Sequence, residues 1–295
     1  MLYFTSKGFE MLVSMKDMLA EASRRGYAVG AFNFASLESG RAVIMAAERA
    51  HASVILQHAP PHEEFVPLDM AAPIMLDLAK RATVPVCVHL DHGGPEDLCY
   101  RALRMGMTSV MFDGSALPYA ENLAATARVV RAAHAVGATV EAELGSMPNN
   151  LKGDMGEYRP EDFYTKPEEA AEFVARTGVD ALAISFGTVH GVYRAKPALA
   201  LDVVDSVRCA TGNLPLVMHG GSGLSTDDYR QAITHGIRKI NYYTYSALAG
   251  GKGVVDYLGR KPKRVFYHDI VQAGTRAIEA DIEKVIRLFN NGTNR

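Results

Sequence analysis

The stretch Val84-Pro85-Val86-Cys87-Val88-His89-Leu90-Asp91-His92 decides how this chain is read. A short β-branched run that ends in titratable residues reads as a buried strand carrying chemistry at its tip. Seven more runs of this kind lie at residues 28–33, 54–57, 109–112, 139–143, 181–185, 216–218 and 239–241. Between them lie amphipathic stretches with helix punctuation. Ser36 precedes 37–50, Pro95 opens 96–105 before Gly106, Pro167 opens 168–177 before Gly178, and Ser225 precedes 226–235 before Gly236. Eight strands each followed by a helix, with no Ser/Pro-rich linker between halves, predict one α/β domain over residues 1–295, a (β/α)8 or TIM barrel. Residues 14–26 read as a helix closing the barrel floor and 1–10 as an N-terminal extension. About 245–295 read as a C-terminal helical arm, with its terminal helix over about 269–289.

A chain of 295 residues with 48% hydrophobic composition can bury a core of that size. Its net charge of −2 offers no basic excess for nucleic acid or an anionic membrane, so a small-molecule partner is expected. Cys87, Cys99 and Cys209 show no paired spacing, which predicts reduced thiols in a cytoplasmic protein. The N-terminal stretch has no basic segment before a long apolar core, and no window approaches the roughly 20 apolar residues that span a bilayer.

Barrel enzymes place their chemistry at the C-terminal ends of the strands. Asn33, Gln57, Asp91 with His92, Asp113, Glu143, His190, His219 and Asn241 all fall there. Singly, Asn33, Asp113 and Asn241 could cap turns; it is their coincidence on one rim that points to a site. His92, His190 and His219 come from three strands, the pattern of a catalytic zinc with three protein ligands and one open position. His51, His134 and His235 sit near helix ends and suit the helix dipole instead. Asp113 and Glu143 either bind a second cation or hold the ligating histidines by hydrogen bonds. If strand alternation persists, Asp91 cannot point the same way as His92 and faces substrate as a proton-transfer group. Gly220-Gly221-Ser222-Gly223 and Asn241-Tyr242-Tyr243-Thr244 occupy loops where barrel enzymes hold a phosphate on backbone amides. A Schiff-base lyase would need a lysine projecting from a strand into the pocket. The strand interiors are read as supplying none, with Lys239 at the start of the eighth strand and away from the active face.

Over residues 13–244 the chain resembles the class II, zinc-dependent ketose-bisphosphate aldolases of the fructose- and tagatose-bisphosphate type. The likeness is carried by Ser14-Met15-Lys16-Asp17-Met18-Leu19, Ala31-Phe32-Asn33, His89-Leu90-Asp91-His92 and Ser109-Val110-Met111-Phe112-Asp113-Gly114-Ser115. It continues through Val140-Glu141-Ala142-Glu143-Leu144-Gly145, Gly187-Thr188-Val189-His190-Gly191, His219-Gly220-Gly221-Ser222-Gly223 and Lys239-Ile240-Asn241. The resemblance implies that His92, His190 and His219 hold Zn2+, that Asp91 exchanges the proton of the C4 hydroxyl, and that Asp113 and Glu143 can bind a second ion. It further implies that Asn33, Gly191, Gly220, Gly221, Ser222, Asn241, Tyr242, Tyr243 and Thr244 contact a sugar phosphate, and that the protein is a homodimer or homotetramer.

Three departures from the family pattern bear on the substrate. The loop Gly145-Ser146-Met147-Pro148-Asn149-Asn150-Leu151-Lys152-Gly153-Asp154-Met155-Gly156-Glu157 lacks an acid at the usual position, leaving Asp154 and Glu157 as displaced candidates. Ala59 stands where the family commonly has a hydroxyl residue, and Tyr243 and Tyr245 are bulkier than the residues usual after the last strand. Together they point to an aldolase acting on something other than fructose 1,6-bisphosphate. Arg264, in the basic run 260–264, is the candidate for a distal phosphate contact, against the plainer reading of a solvated loop. A non-catalytic sugar-phosphate sensor or partner subunit is the alternative, opposed by the retention of Asp91 beside all three histidines.

Overall fold

The structure, a computed structural model, describes residues 4–5, 8–9, 11–145, 160–193, 197–261 and 263–290. Eight strands form the expected barrel: β1 (Val29–Asn33), β2 (Val54–His58), β3 (Val86–Gly93), β4 (Ser109–Phe112), β5 (Thr139–Leu144), β6 (Ala181–Ile184), β7 (Leu216–Met218) and β8 (Ile237–Tyr242). Each pairs in parallel with its neighbour in sequence, and β8 pairs with β1 to close the ring. Around it run α1 (Met15–Arg25), α2 (Leu37–Ala50), α3 (Leu68–Arg81), α4 (Glu96–Met105), α5 (Tyr119–Ala135), α6 (Pro167–Thr177), α7 (Leu201–Ala210), α8 (Thr226–His235), α9 (Thr244–Gly259) and α10 (Tyr267–Phe289). The helix ends follow the sequence punctuation. Ser36 and Ser225 form capping boxes with Ser39 and Asp228, while Gly106 and Gly178 end α4 and α6 in the left-handed region.

Side chains alternate along each strand, so inward positions stack in layers. The lowest layers are apolar: Ala31, Ile55, Cys87, Ala183 and Val217 pack against Met15, Met18 and Leu19 of α1, which closes the floor as expected. Outward residues such as Phe32, Leu56, Val88 and Val140 join the larger core beneath the helices. The C-terminal arm folds back onto the barrel, with α10 lying against α2 and α9. Gly250, Gly251 and Gly253 in the interior of α9 would each weaken an isolated helix by about 1 kcal/mol relative to alanine. Close approach explains at least one: a Cβ on Gly253 would sit 2.5 Å from the Ala277 Cβ and 2.8 Å from the Ala273 carbonyl oxygen. Among the described residues no helix is long and apolar enough to cross a membrane. The three cysteines are free.

Candidate active site

Above the apolar floor the inward positions turn polar, two layers deep. β3 contributes His89 and then Asp91, β5 Glu141 and then Glu143, and β8 Lys239 and then Asn241; all six are buried. Lys239 corrects the sequence reading. β8 begins at Ile237, so Lys239 lies within the strand and points into the barrel, where its Nζ donates to Glu141 Oε2 at 2.6 Å. A strand interior does supply a lysine, beneath the rim and paired with a carboxylate.

The expected divergence of Asp91 and His92 is also corrected. The register of β3 against β4 shifts between Leu90 and Gly93, and His92 adopts a φ of 50°, so alternation breaks there and both side chains reach one site. Asp91 is held at both oxygens: Asn241 Nδ2 donates to Oδ1 at 3.0 Å and Gln57 Nε2 to Oδ2 at 3.0 Å. Gln57 also donates to Asn33 Oδ1 at 3.1 Å, which ties β1, β2, β3 and β8 together at the rim. Burial would raise the Asp91 carboxyl, but His92, Lys239, His219 and His89 outweigh it and hold it well below the ordinary carboxylate range. Asp91 is therefore held as a carboxylate.

The three histidines converge. Ring centroids are 4.5 Å apart for His92 and His219, 5.2 Å for His92 and His190, and 5.9 Å for His190 and His219. One ring nitrogen from each lies within 4.8 Å of the other two. His92 Nδ1 donates to Asp113 Oδ2 at 2.8 Å, which leaves Nε2 for a metal, and Asp113 is itself fixed by the Ser115 amide and hydroxyl at 3.1 and 2.7 Å. His219 Nε2 donates to Glu141 Oε1 at 2.9 Å, leaving Nδ1. That Nδ1 and Glu143 Oε2 are buried without hydrogen-bond partners and face each other at 3.3 Å. With the proton on Nε2 both atoms are acceptors, and two buried acceptors facing each other are costly unless something joins them; a cation held by the imidazole lone pair and the carboxylate would do so. Burial lowers His219, yet Glu141, Glu143 and Asp91 raise it to about 10, a measure of how strongly this pocket favours positive charge. His190 is pushed down to about 3 by burial and by the other two rings, so it is neutral and has a ring-nitrogen lone pair to offer a metal. The donor set thus fits a divalent ion. Asp113 and Glu143 also form a candidate group with His92, and His89, Asp91 and Glu141 form a third; in that one the Lys239 ammonium already stands where a cation would.

The remaining candidates divide. Gly191 follows His190 directly with a φ of 93°, and Gly220 has a φ of 63°. A Cβ on Gly220 would also run into the Val189 carbonyl, so glycine is required there twice over. Ser222 Oγ accepts the Tyr243 amide at 3.0 Å, and the Gly221 amide is already given to the Asn241 carbonyl at 3.1 Å. Two of the expected phosphate donors are therefore engaged within the protein, while the Ser222 hydroxyl still has its own proton to donate and the first amides of α9 have no side-chain cap. Tyr242 is a correction: it points outward, its ring against Phe32 and Phe289 and its hydroxyl donating to Asp281 Oδ2 at 3.0 Å. Tyr242→Phe is expected to leave kcat/KM within about twofold while lowering stability by about 1.5–3 kcal/mol, the usual cost of a hydrogen bond to a charged group; steady-state kinetics and urea melts check both. Arg264 is exposed, and among the described residues nothing engages it. Asp154 and Glu157 lie outside the described residues.

Sequence reasoning missed two rim residues. His62, in the segment after β2, is buried with its ring 4.8 Å from that of Tyr243, and burial lowers it, so it is a neutral imidazole. Tyr193 donates to the Gly220 carbonyl at 2.8 Å and accepts the Val189 amide at 3.3 Å, stapling the loop after β6 to the loop after β7.

With this geometry in hand, comparison with known proteins is specific. The family model for class-II fructose-bisphosphate aldolase matches residues 13–294. The fructose-bisphosphate aldolase of Geobacillus stearothermophilus is 39% identical over 285 residues, covering 95% of this chain and 97% of that protein. That of Staphylococcus aureus (strain Mu50 / ATCC 700699) is 40% identical over 283 residues, covering 94% and 97%. The crystal structure of the YdjI aldolase from Escherichia coli K12 superposes with a TM-score of 0.85 at 34% identity, covering 97% of this chain and all of that one. A closed barrel with three converging histidines and a doubly held carboxylate, matched in sequence over almost its whole length, belongs to the class-II fructose-bisphosphate aldolase family, whose members are carbon–carbon lyases.

Proposed function

We propose that this aldolase is zinc-dependent and cleaves a phosphorylated ketose other than fructose 1,6-bisphosphate, reversibly, to dihydroxyacetone phosphate and an aldehyde. The observation that carries the reading is the pairing of the histidine cluster with Asp91, ionised and held at both oxygens within 4.0 Å of His219 Nε2. His92, His190 and His219 hold the ion, and Asp113 and Glu143 orient His92 and balance the charge or accept a second cation. Zinc, when bound, supplies the positive charge that stabilises the ketone oxygen as negative charge builds on it.

The protein's own groups do the rest. Asp91 takes the proton of the C4 hydroxyl; the freed oxygen electrons form the aldehyde as the C3–C4 bond breaks, and that bond's pair moves toward the C2 carbonyl. In condensation Asp91 returns the proton. Asp154 or Glu157 exchanges the proton at C3. Asn241 Oδ1, buried and without a partner, and Asn33 are supported as contacts to substrate hydroxyls. Gly191, Gly220, Gly221, Ser222, Tyr243 and Thr244 line the phosphate side, the free donors being the Ser222 hydroxyl and the first turn of α9.

The departure from fructose 1,6-bisphosphate is supported by the rim between β2 and β8. Ala59 offers no hydroxyl, and the neutral His62 packs edge-on to Tyr243 in its place, a wall suited to an uncharged part of a substrate. A homodimer or homotetramer is supported by the exposed apolar residues Leu248, Val255, Leu258, Val265, Phe266 and Tyr267 of α9, α10 and their connection. A cytoplasmic setting accords with the free thiols.

The test is release of dihydroxyacetone phosphate from a panel of ketose mono- and bisphosphates, before and after chelation and zinc restoration. We expect chelation to remove at least about 99% of the release from the best substrate and zinc to restore it, because the ion carries the charge stabilisation worth several kcal/mol. Fructose 1,6-bisphosphate ranking first in kcat/KM would refute the substrate reading, and chelator-resistant release would refute the zinc reading.

A further inference from the structure

Beneath the rim lie three fully buried side chains that the aldol chemistry does not call on: His89, Glu141 and Lys239. Lys239 Nζ donates to Glu141 Oε2 at 2.6 Å and to His89 Nε2 at 3.4 Å. His89 passes its own Nδ1 proton to Ser109 Oγ at 2.8 Å, and Ser109 donates on to Met15 Sδ at 3.7 Å. The other oxygen of Glu141 accepts from His219 Nε2 at 2.9 Å. A buried ion pair of this kind repays its desolvation poorly, and apolar residues of the same volume usually serve stability as well or better. The direction of the chain is the informative part. Every donor faces an acceptor from Lys239 outward, and the series ends with the His219 proton on Nε2 and its Nδ1 facing the histidine cluster.

We propose that Lys239 and Glu141 are positioning residues that fix the tautomer of His219, so that its Nδ1 is the lone pair offered to the ion. The inference rests on reading His219 as a metal ligand. Lys239 presents only donors, so whatever occupies position 141 must turn an acceptor toward it. A carboxylate satisfies Lys239 with one oxygen and still accepts from His219 with the other. An amide cannot do both.

Glu141→Gln makes this testable. With Lys239 present the amide oxygen must face the ammonium, so the amide NH2 faces His219 Nε2, which then has to accept, and the proton moves to Nδ1. We expect zinc affinity, measured by competition with a chromophoric chelator, to fall about 10–100-fold, the usual effect of losing an outer partner of a metal-bound histidine. Adding Lys239→Met frees the amide to rotate: its oxygen accepts from His219 Nε2, and its NH2 finds His89 Nε2, which lies 3.6 Å from the Glu141 Oε2 position. The double variant should therefore bind zinc at least about tenfold more tightly than E141Q alone, an ordering that a purely structural role for the ion pair does not produce.

An E141Q protein that is folded by circular dichroism and binds zinc like the unaltered chain overturns the proposal, as does a double variant no better than E141Q. His219→Ala is measured alongside: if it keeps full zinc affinity, the ligand reading itself fails, whereas loss in H219A with none in E141Q defeats only the positioning role. Nitrogen-15 spectra of histidine in the unaltered zinc-loaded protein decide the matter independently of any variant's folding. A proton on Nε2 of His219 is expected, and one on Nδ1 overturns the proposal.

Discussion

His92→Ala is expected to lose bound zinc and, with it, all but a trace of aldol cleavage. His92 belongs to two of the three side-chain groups able to hold an ion, the one with His190 and His219 and the one with Asp113 and Glu143. Its removal takes one of three imidazole donors from a site that binds through few ligands, so affinity should fall by more than the roughly 100-fold upper range seen for outer partners alone. It also leaves Asp113 without the imidazole 2.8 Å away, although Ser115 still donates to it twice. The protein should stay folded, because His92 sits partly exposed at the rim, above the apolar layers that hold the barrel together. Zinc content by atomic emission, paired with turnover, reads the result. Retention of one zinc per chain would move the ion to the third group, His89, Asp91 and Glu141, and would require Lys239 to give up its 2.6 Å contact with Glu141.

Why the rim was legible and the layer beneath it was not follows from strand geometry. The polar residues at strand ends stand out because they terminate apolar runs, as Asp91 and His92 do after Val86, Cys87 and Val88. His89, Glu141 and Lys239 sit two residues earlier, inside the runs, where a polar residue reads as an interruption or as an outward position. The period of two was available: His89 with Asp91, Glu141 with Glu143 and Lys239 with Asn241 each repeat at i and i+2, which places both members on one face. Lys239 opens the eighth apolar run in the sequence, whereas pairing with β1 and β7 extends β8 back to Ile237 and places Lys239 inside the strand. The bulge at His92 has no local signature, since a histidine with positive φ is chosen by the site and not by propensity. The same alternation separates neighbours in the 241–244 segment: Asn241 points inside and Tyr242 packs against Phe289. The wall of His62 and Tyr243 brings residues 181 positions apart into contact, and no single-sequence pattern reports that.

Asp91→Asn is the second large effect, with kcat expected to fall by about 10²–10⁴-fold, the range for losing a positioned acid–base group, while zinc content stays unchanged. The substitution keeps the side chain's shape and removes its charge and its capacity to carry the proton. At first sight it should also disrupt the fold, because both oxygens of Asp91 accept from amide NH2 groups, and an asparagine turns one NH2 toward another. The surroundings absorb this. Asn241 Oδ1 is buried without a partner, so rotating the Asn241 amide presents that oxygen to the new NH2 and costs no other hydrogen bond within the protein; the Asn241 NH2 then faces the substrate hydroxyl, which can accept as well as donate. Gln57 could make the same turn only by giving up its bond to Asn33, so Asn241 is the amide that moves. A variant so accommodated should keep its thermal midpoint and bind substrate, with KM changed far less than kcat, which is the signature of an interaction made in the transition state alone. Asp91→Ala would instead strand the Gln57 and Asn241 donors and confuse catalysis with stability, which makes asparagine the better probe. Full turnover by Asp91→Asn would transfer the proton to another group, with Glu143, whose Oε2 is buried without a hydrogen-bond partner, as the candidate, and would reduce Asp91 to a brace between β2 and β8.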